Sequence, residues 1–159
     1  QTWQSQSAAA IEVHFAGGTL SSMQRWLGAG LTYQSQTEGE LGQRLQYVFR
    51  QGLQKFQRLV VIGADCPSIT PDHLKTAFQR LQSHDVVVGP ANDGGYYLIG
   101  LSQACPDLFQ DVPWGTPHVF EQTVAIARRL QLSLATLETL SDIDRPEDLS
   151  ILPEPLAVL

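Results

Sequence analysis

Cysteine and lysine are scarce in this sequence, and each scarcity excludes a class of protein. Cys66 and Cys105 are the only cysteines among 159 residues, with neither a CxxC pair nor the spacing of a zinc site. This argues against a disulfide framework or a zinc ribbon and favours a reducing, cytoplasmic setting. Lys55 and Lys75 are the only lysines, and the net charge is −6. We expect no nucleic-acid or anionic-membrane partner, because both require a positive surface.

Long apolar runs and the common nucleotide and hydrolase motifs are also absent. No run approaches the roughly 18 to 20 residues of a membrane span. No GxGxxG, GxxxxGK[ST] or GxSxG motif occurs, so dinucleotide-binding, P-loop and hydrolase-elbow proteins lack their signatures here. The composition, with 43% hydrophobic and 16% charged residues, is typical of a globular domain. We predict a single domain over residues 1–159.

The period of the apolar residues changes along the chain, as expected where strands alternate with helices. Strands are predicted at 10–15, 59–63, 85–89, 96–101 and 132–137, and helices at 19–27, 40–55, 70–81, 116–130 and 146–149. The run at 59–63 is apolar throughout, which predicts a central parallel strand covered by helices on both faces. Thr19, Thr70 and Thr116 are the expected N-caps. The pattern predicts an α/β domain.

Asp65 comes directly after this apolar strand. Ligands of open α/β sheets gather beyond the carboxyl ends of the strands, and a carboxylate there is well placed to bind Mg²⁺ or Mn²⁺. The alternative is structural: Asp65 caps the turn before Pro67 by accepting hydrogen bonds from backbone amides.

The sequence Asp93-Gly94-Gly95 lies ahead of an apolar strand and is first of all a tight-turn signal, since glycine supplies positive φ without steric cost. The missing side chains would also let a ligand lie against the backbone while Asp93 accepts hydrogen bonds from sugar or ribose hydroxyls. Tyr96 and Tyr97 follow on opposite faces of the strand, so at most one of them faces a pocket.

Two further segments are candidates for the same site. Trp114-Gly115-Thr116 either closes over a ligand or packs, and the usual burial of tryptophan favours packing. Four acids lie within residues 142–148, where Asp142 or Asp144 is a candidate for a second carboxylate opposite Asp65. The alternative is that Asp144 is the N-cap of a helix.

Four ordered motifs together resemble a known family. They are Gly-Ala-Asp-Cys-Pro at 63–67, Gly-Pro-Ala-Asn-Asp-Gly-Gly-Tyr-Tyr-Leu-Ile-Gly-Leu at 89–101, Trp-Gly-Thr at 114–116 and Asp-Ile-Asp-Arg-Pro-Glu-Asp-Leu at 142–149. From about Ile11 to Leu149 the chain resembles the bacterial GT-A-type glycosyltransferases of arsenosugar biosynthesis. That family, formerly described as a domain of unknown function, is part of the nucleotide-diphospho-sugar transferase superfamily.

The resemblance implies a three-layer α/β/α GT-A fold with a mostly parallel central sheet. It also implies a nucleoside-diphosphate sugar donor, a small-molecule acceptor and Mg²⁺ or Mn²⁺. Asp65 and Asp144 match the metal-binding positions, and Asp93 is the one candidate for the base that activates the acceptor. The expected substrate-binding residues are Asp93, Gly94, Gly95, Tyr96, Trp114, Gly115 and Thr116. A nucleotidyltransferase of the same fold, which releases pyrophosphate, and a non-catalytic binding or assembly module are the alternatives.

One part of the family pattern has no counterpart in this sequence. Family members begin with a strand and a loop of the type Pro-x-Pro-Gly-x-x-Lys-Thr-Arg, which cradles the nucleotide, and nothing before Ile11 resembles it. We therefore expect the first βα unit to be absent. Neighbouring strands would then expose apolar edges, which favours a homo-oligomer.

Overall fold

The computed structural model describes residues 9–141, which fall into two compact units divided after Gly39. The first unit is one βαβ element, with β1 (Glu12–Phe15), α1 (Leu20–Leu27) and β2 (Thr32–Ser35). β1 and β2 pair in parallel, and a helical crossover is what a parallel pair requires. The predicted β1 and α1 are confirmed, whereas the sequence analysis did not predict β2.

The N-cap of α1 is confirmed, but its apolar face differs from expectation. The backbone N–H of Ser22 donates to Thr19 Oγ1 at 3.2 Å, which caps the helix. Met23, Trp26 and Leu27 share one side of the helix by their spacing, yet Trp26 is 76% exposed. Helical spacing shows which residues share a face, but it does not show what covers that face.

The second unit contains one mixed sheet with helices on both faces. Its elements are α2 (Leu41–Gly52), β3 (Leu59–Ile62), α3 (Pro71–Arg80), β4 (Val86–Pro90), β5 (Tyr96–Leu101), a 3-10 helix (Pro106–Phe109), α4 (Val119–Arg129) and β6 (Leu134–Thr136). The strand order is β3-β5-β4-β6. Within residues 9–141, no helix has the length and apolar character that crossing a membrane requires.

Strand direction brings three strand ends to one edge of this sheet. β5 runs antiparallel to both β3 and β4, whereas β6 runs parallel to β4. β3, β4 and β6 therefore point the same way. Their carboxyl ends, at Ile62, Pro90 and Thr136, lie at the same edge as the start of β5.

The position of β3 corrects the prediction of a central parallel strand. Within residues 40–141, β3 lies at the end of the strand order and pairs with β5 in antiparallel fashion. Both of its faces are nevertheless covered: Leu59 and Val61 pack against one core cluster and Val60 against the other. A continuous apolar run indicates that both faces of a strand are buried. It does not show which strands are hydrogen-bonded to the two edges of that strand.

Two core clusters cover the two faces of the sheet and give three layers. On one face, Val86, Val88, Ile99 and Leu101 pack with residues of α2, the 3-10 helix and α4. Phe49 of α2 stacks on Phe109 with ring centroids 5.5 Å apart. On the other face, residues including Val87 and Leu98 pack with Ala77 and Leu81 at α3. This is the expected three-layer α/β/α arrangement.

The start of α4 also differs from the prediction. Thr116 was the expected N-cap, but the helix begins at Val119 and its N-cap is His118. The Thr116 hydroxyl donates to the Pro113 carbonyl at 2.7 Å and accepts from the His118 amide at 3.3 Å. Thr116 and Pro117 therefore form a turn before the helix instead of its first residues.

Asp85 joins the beginnings of β4 and β6 and gives a pH-dependent prediction. Its Oδ2 accepts hydrogen bonds from the hydroxyl of Ser133 at 2.6 Å and from the amide of Ser133 at 2.9 Å. These bonds lower the pKa of the Asp85 carboxyl below its usual value. A lowered folded-state pKa stabilises the fold above the unfolded-state pKa, and this contribution is lost as the pH falls through the folded-state pKa.

We therefore expect Asp85→Asn to lower Tm at pH 7 by roughly 2 to 4 °C, about the shift for 1 kcal/mol in a domain of this size. The expected effect is small because the Asp85 carboxylate is only partly buried, so that solvent screens its interactions. Thermal denaturation between pH 7 and pH 2.5 measures the effect. The difference from the unaltered protein should shrink below about pH 4, near the unfolded-state pKa of Asp, and a constant difference would contradict the assignment.

Candidate active site

Asp65 lies at the edge where the carboxyl ends of three strands meet. Just beyond β3, the Gly63 amide donates to the Tyr97 carbonyl at 2.9 Å, which fixes the start of the loop. The Asp65 side chain is exposed, and its Oδ1 lies so close to Gly63 that a Cβ added there would be 2.6 Å away. The structure thus places this carboxylate in solvent at the strand edge predicted from the sequence.

The segment 137–141 continues β6 along the end of β4. The Leu137 amide donates to the Val88 carbonyl at 2.8 Å, and the Leu140 amide donates to the Pro90 carbonyl at 3.0 Å. The Asn92 amide in turn donates to the Leu140 carbonyl at 3.0 Å. These bonds bring the chain from β6 to the same edge as Asp65.

Ser141 is held between the loops that follow β3 and β4. The Cys66 thiol donates to its carbonyl at 3.4 Å, and Asn92 Nδ2 donates to its hydroxyl at 2.6 Å. Ser141 is the last residue that the structure describes, so Asp142, Asp144 and the predicted helix at 146–149 lie outside the described residues. Sequence analysis singled out neither Asn92 nor Ser141 as a site residue, although Asn92 lies within the motif at 89–101 and Ser141 directly precedes the motif at 142–149.

The turn between β4 and β5 is the predicted hairpin. Asp93 Oδ1 accepts from the Gly95 amide at 2.7 Å, and the Gly94 amide donates to the Ala91 carbonyl at 3.1 Å. Gly94 has a φ of 89°, a conformation that side-chain-bearing residues rarely adopt. Oδ1 of the exposed Asp93 carboxylate thus stabilises the turn. The hydrogen bond from Gly95 does not involve Oδ2.

The approach to α4 packs directly on this turn. The Phe120 amide donates to the Gly94 carbonyl at 2.9 Å. A Cβ on Gly94 would lie 2.0 Å from the Pro117 carbonyl oxygen. The structure therefore places Pro117 and Phe120, which follow the motif at 114–116, against the turn at residues 93–95.

Within the second motif, Trp114 has a different environment from its neighbours. Its ring meets the Tyr96 ring edge-on, with centroids 6.3 Å apart, and its Nε1 would be 2.6 Å from a Cβ on Gly42 in α2. Gly115 and Thr116 are exposed. Packing thus accounts for the half-buried Trp114 ring, and its predicted role in substrate binding stays a prediction, as do those of Gly115 and Thr116.

The two tyrosines of β5 point to opposite faces, as the strand period requires. Tyr96 packs on the face of α2 and α4, and burial raises the pKa of its hydroxyl well above the usual value. Tyr97 is only 2% exposed on the face of α3, and its hydroxyl donates to the Glu138 carbonyl at 3.1 Å. Burial, followed by the charge of Glu138, raises the pKa of Tyr97 to about 12.

The described residues fit one part of a Mg²⁺ or Mn²⁺ site. No group of three or more His, Cys, Asp and Glu side chains suited to a metal occurs within residues 9–141. Such ions are commonly held through one or two carboxylates together with the phosphates of a substrate. The exposed Asp65 carboxylate fits this kind of site as one hard oxygen donor, and a role for Asp144 as the second stays a prediction.

Comparison with known proteins places the fold and the family. Residues 1–116 match a family described as an uncharacterized protein conserved in bacteria, DUF2064. No protein of curated function is similar enough to count as a match.

Solved structures that share the fold include two of differing similarity to this chain. One is described as a "putative nucleotide-diphospho-sugar transferase" from Desulfovibrio desulfuricans G20, with 30% identity and a TM-score of 0.83 over 90% of this chain. The chain spans 64% of the length of that protein. The other is CMP:2-keto-3-deoxy-manno-octonic acid synthetase complexed with CTP, with 14% identity and a TM-score of 0.61. The match covers 94% of this chain and 82% of the synthetase. At 14% identity, this likeness shows the fold alone.

The close contact at Gly94 predicts an unusually costly substitution. Gly94→Ala combines an unfavourable φ with a Cβ pressed into the Pro117 backbone, which cannot yield like a flexible side chain. We expect it to lower the free energy of unfolding by about 1 to 3 kcal/mol, measured by urea denaturation.

Gly115→Ala is the matched control, because Gly115 has a φ of 76° but nothing within 4 Å of an added Cβ. It should carry only the conformational cost of roughly 1 kcal/mol. Equal losses in the two variants would show that the contact with Pro117 contributes nothing.

Proposed function

Since the chain belongs to the bacterial family DUF2064 and shares its fold with a protein described as a nucleotide-diphospho-sugar transferase, we propose that it is a metal-dependent glycosyltransferase. It would transfer a sugar from a nucleoside-diphosphate sugar to a small acceptor. The arrangement that supports this proposal most is the shared sheet edge, where the exposed Asp65 carboxylate and the Asp93 turn lie with the ends of β3, β4 and β6.

Asp65 and Asp144 are the residues proposed to hold Mg²⁺ or Mn²⁺. The chemistry that such an ion supplies when bound is Lewis-acid stabilisation of the negative charge on a departing nucleoside diphosphate. Asp65 suits this task because its carboxylate is exposed on a loop fixed at both sides, by Gly63 on β5 and by Cys66 on Ser141. A loop that is already ordered loses little conformational entropy when a ligand binds to it.

Asp93 is proposed to contact the acceptor and take the proton of its hydroxyl. The bond from the Gly95 amide to Oδ1 orients the carboxylate, leaving Oδ2 to accept from a hydroxyl group. The backbone at Gly94 and Gly95 offers an approach without side chains. The exposed residues Gly115 and Thr116 adjoin the same turn through the contact of Pro117 with Gly94, and we propose that they line the substrate site.

The alternative activity is nucleotidyl transfer by the same fold. The synthetase of known structure that shares the fold was solved with bound CTP, and such a reaction on this chain would release pyrophosphate instead of a nucleoside diphosphate. The two reactions are separated by their products. A panel of UDP- and GDP-sugars, CTP and GTP, each with and without Mn²⁺, should show metal-dependent binding of a sugar nucleotide by calorimetry and release of nucleoside diphosphate.

Asp65→Asn removes the charge with little change in volume and tests the metal site. Removing a residue that only hydrogen-bonds to a metal ligand typically weakens metal binding by roughly 10- to 100-fold. Because Asp65 is the proposed ligand itself, we expect its replacement to raise the Kd for Mn²⁺ by more than that. Asp144→Asn should also weaken binding. The control is Asp111→Asn, at an exposed position of positive φ that asparagine also tolerates.

An unchanged Mn²⁺ affinity in Asp65→Asn would overturn the proposed metal site and favour the non-catalytic module. Release of pyrophosphate from a nucleoside triphosphate, without nucleoside diphosphate from any sugar nucleotide, would establish the alternative activity.

Two substitutions at Asp93 separate its structural role from its chemical role. In Asp93→Asn the side-chain oxygen still accepts from the Gly95 amide, so Tm should be retained while transfer falls by about 10²- to 10⁴-fold, the usual contribution of a general base. Asp93→Ala should lose activity and also about 1 kcal/mol of stability with the hydrogen bond. Steady-state kinetics and thermal denaturation measure both. Full activity in Asp93→Asn would exclude Asp93 as the base.

A further inference from the structure

A groove runs between α3 and the chain that forms and follows β6, on the face of the sheet that α3 covers. Its volume is about 430 Å³, which is within the size range of small-molecule sites. Among the described residues that line it, Leu137 alone is apolar. The groove therefore suits a ligand that is held by charges and hydrogen bonds.

The end of the groove at the start of α3 is acidic. Asp72, in the first turn of α3, and Glu138, the second residue after β6, both line it. His73 holds Glu138 in place, with Nε2 at 2.7 Å from Oε1. The Thr70 amide donates to His73 Nδ1 at 3.0 Å, so the proton of the imidazole is on Nε2, which donates to Glu138. A neutral imidazole orients the Glu138 carboxylate without cancelling its charge.

Arg80 gives the opposite end of the groove a positive charge. It lies eight residues after Asp72 on α3, about 12 Å further along the helix axis. A guanidinium group binds a carboxylate through two parallel hydrogen bonds. Both side chains are exposed, and within residues 9–141 neither makes a hydrogen bond or an ion pair. The charges of Asp72 and Arg80 are therefore available to a ligand.

Hydroxyl groups line the groove between its charged ends. Thr76 lies one helical turn from Asp72 and one from Arg80, and Thr136 is the last residue of β6. Because a hydroxyl both donates and accepts, these groups match the N–H and C=O groups of a peptide. The dipole of α3 favours an acid at its start and a base at its end. It does not account for Glu138, which is on another element, or for a polar groove between the charges.

We propose that this groove binds a tripeptide with free termini, its ammonium group at Asp72 and Glu138 and its carboxylate at Arg80. Three extended residues span at most about 10 to 11 Å. Side chains of a helix point toward its N-terminus, which brings the long Arg80 side chain within that span of the acidic end. The site uses neither Asp65 nor a metal, so it is independent of the proposed glycosyl transfer.

Triglycine, titrated into the whole protein, is the probe for this site. We expect saturable shifts of the backbone amide resonances of Thr76 and Thr136 in nuclear magnetic resonance spectra. The second probe is 8-aminooctanoate, which has the same number of bonds between ammonium and carboxylate groups but no amides, and it should bind more weakly. Absence of a saturable shift with triglycine, or equal affinity for 8-aminooctanoate, would overturn the proposal.

Arg80→Gln and Glu138→Gln each remove the charge at one end of the groove. Each should raise the Kd for triglycine by about 2- to 5-fold, the change that the loss of an exposed ion pair gives. Glutamine at position 138 can still accept from His73, so this end of the groove keeps its structure. The matched control is Arg129→Gln, because Arg129 is exposed in the last turn of α4 as Arg80 is in the last turn of α3, on the opposite face of the sheet.

Blocked peptides test which terminus lies at which end. Triglycine amide lacks the carboxylate, so Arg80→Gln should not change its Kd. N-acetyl-triglycine lacks the ammonium group, so Glu138→Gln should not change its Kd. Equal losses of each peptide and its blocked form would overturn the proposed orientation. A loss of triglycine affinity in Arg129→Gln as large as that in Arg80→Gln would show attraction by overall charge and overturn the site.

Discussion

The antiparallel placement of β5 between β3 and β4 is the constraint on which the candidate active site depends. A strand inserted in the reverse direction lets β3 and β4 run the same way without being neighbours. Their carboxyl ends then share an edge with the start of β5. The Gly63 amide bonds to Tyr97 of β5, and the hairpin at Asp93 leads into the same strand. One reversal thus brings the loop of Asp65 and the turn of Asp93 to the same edge.

The structural role of Asp93 in its turn is compatible with the proposed functional one, because a carboxylate has two oxygens. The Gly95 amide takes one of them, which would account for the residue without any ligand. That same bond fixes the orientation of the other oxygen. Gly94 is likewise required by the turn, through its φ and its contact with Pro117. A preorganised turn of this kind reduces the entropy that a bound hydroxyl group must overcome.

Local patterns in the sequence were enough to predict α3, β4 and the hairpin to β5, because each is determined by neighbouring residues. Proline at the first helical position, a run of buried valines and Asp-Gly-Gly all act over a few residues. The position of β3 at the end of the strand order within residues 40–141 was not predictable, since two-sided burial is the same at the end of a sheet and at its centre. The contact of His73 Nε2 with Glu138 Oε1 was equally unpredictable. His73 and Glu138 are 65 residues apart, and no local pattern marks such a pair.

Charge limits how the proposed substrate could bind at this edge. Residues 63–67, 91–95, 114–118 and 137–141 contain no lysine or arginine, and the whole chain carries a net charge of −6. A diphosphate beside Asp65 would be repelled by about 4 kcal/mol for each pair of unit charges 4 Å apart at an effective dielectric constant of 20. A divalent cation between them reverses the sign of that interaction. On the proposed function, metal and sugar nucleotide should therefore bind with strong positive coupling, each raising the affinity for the other.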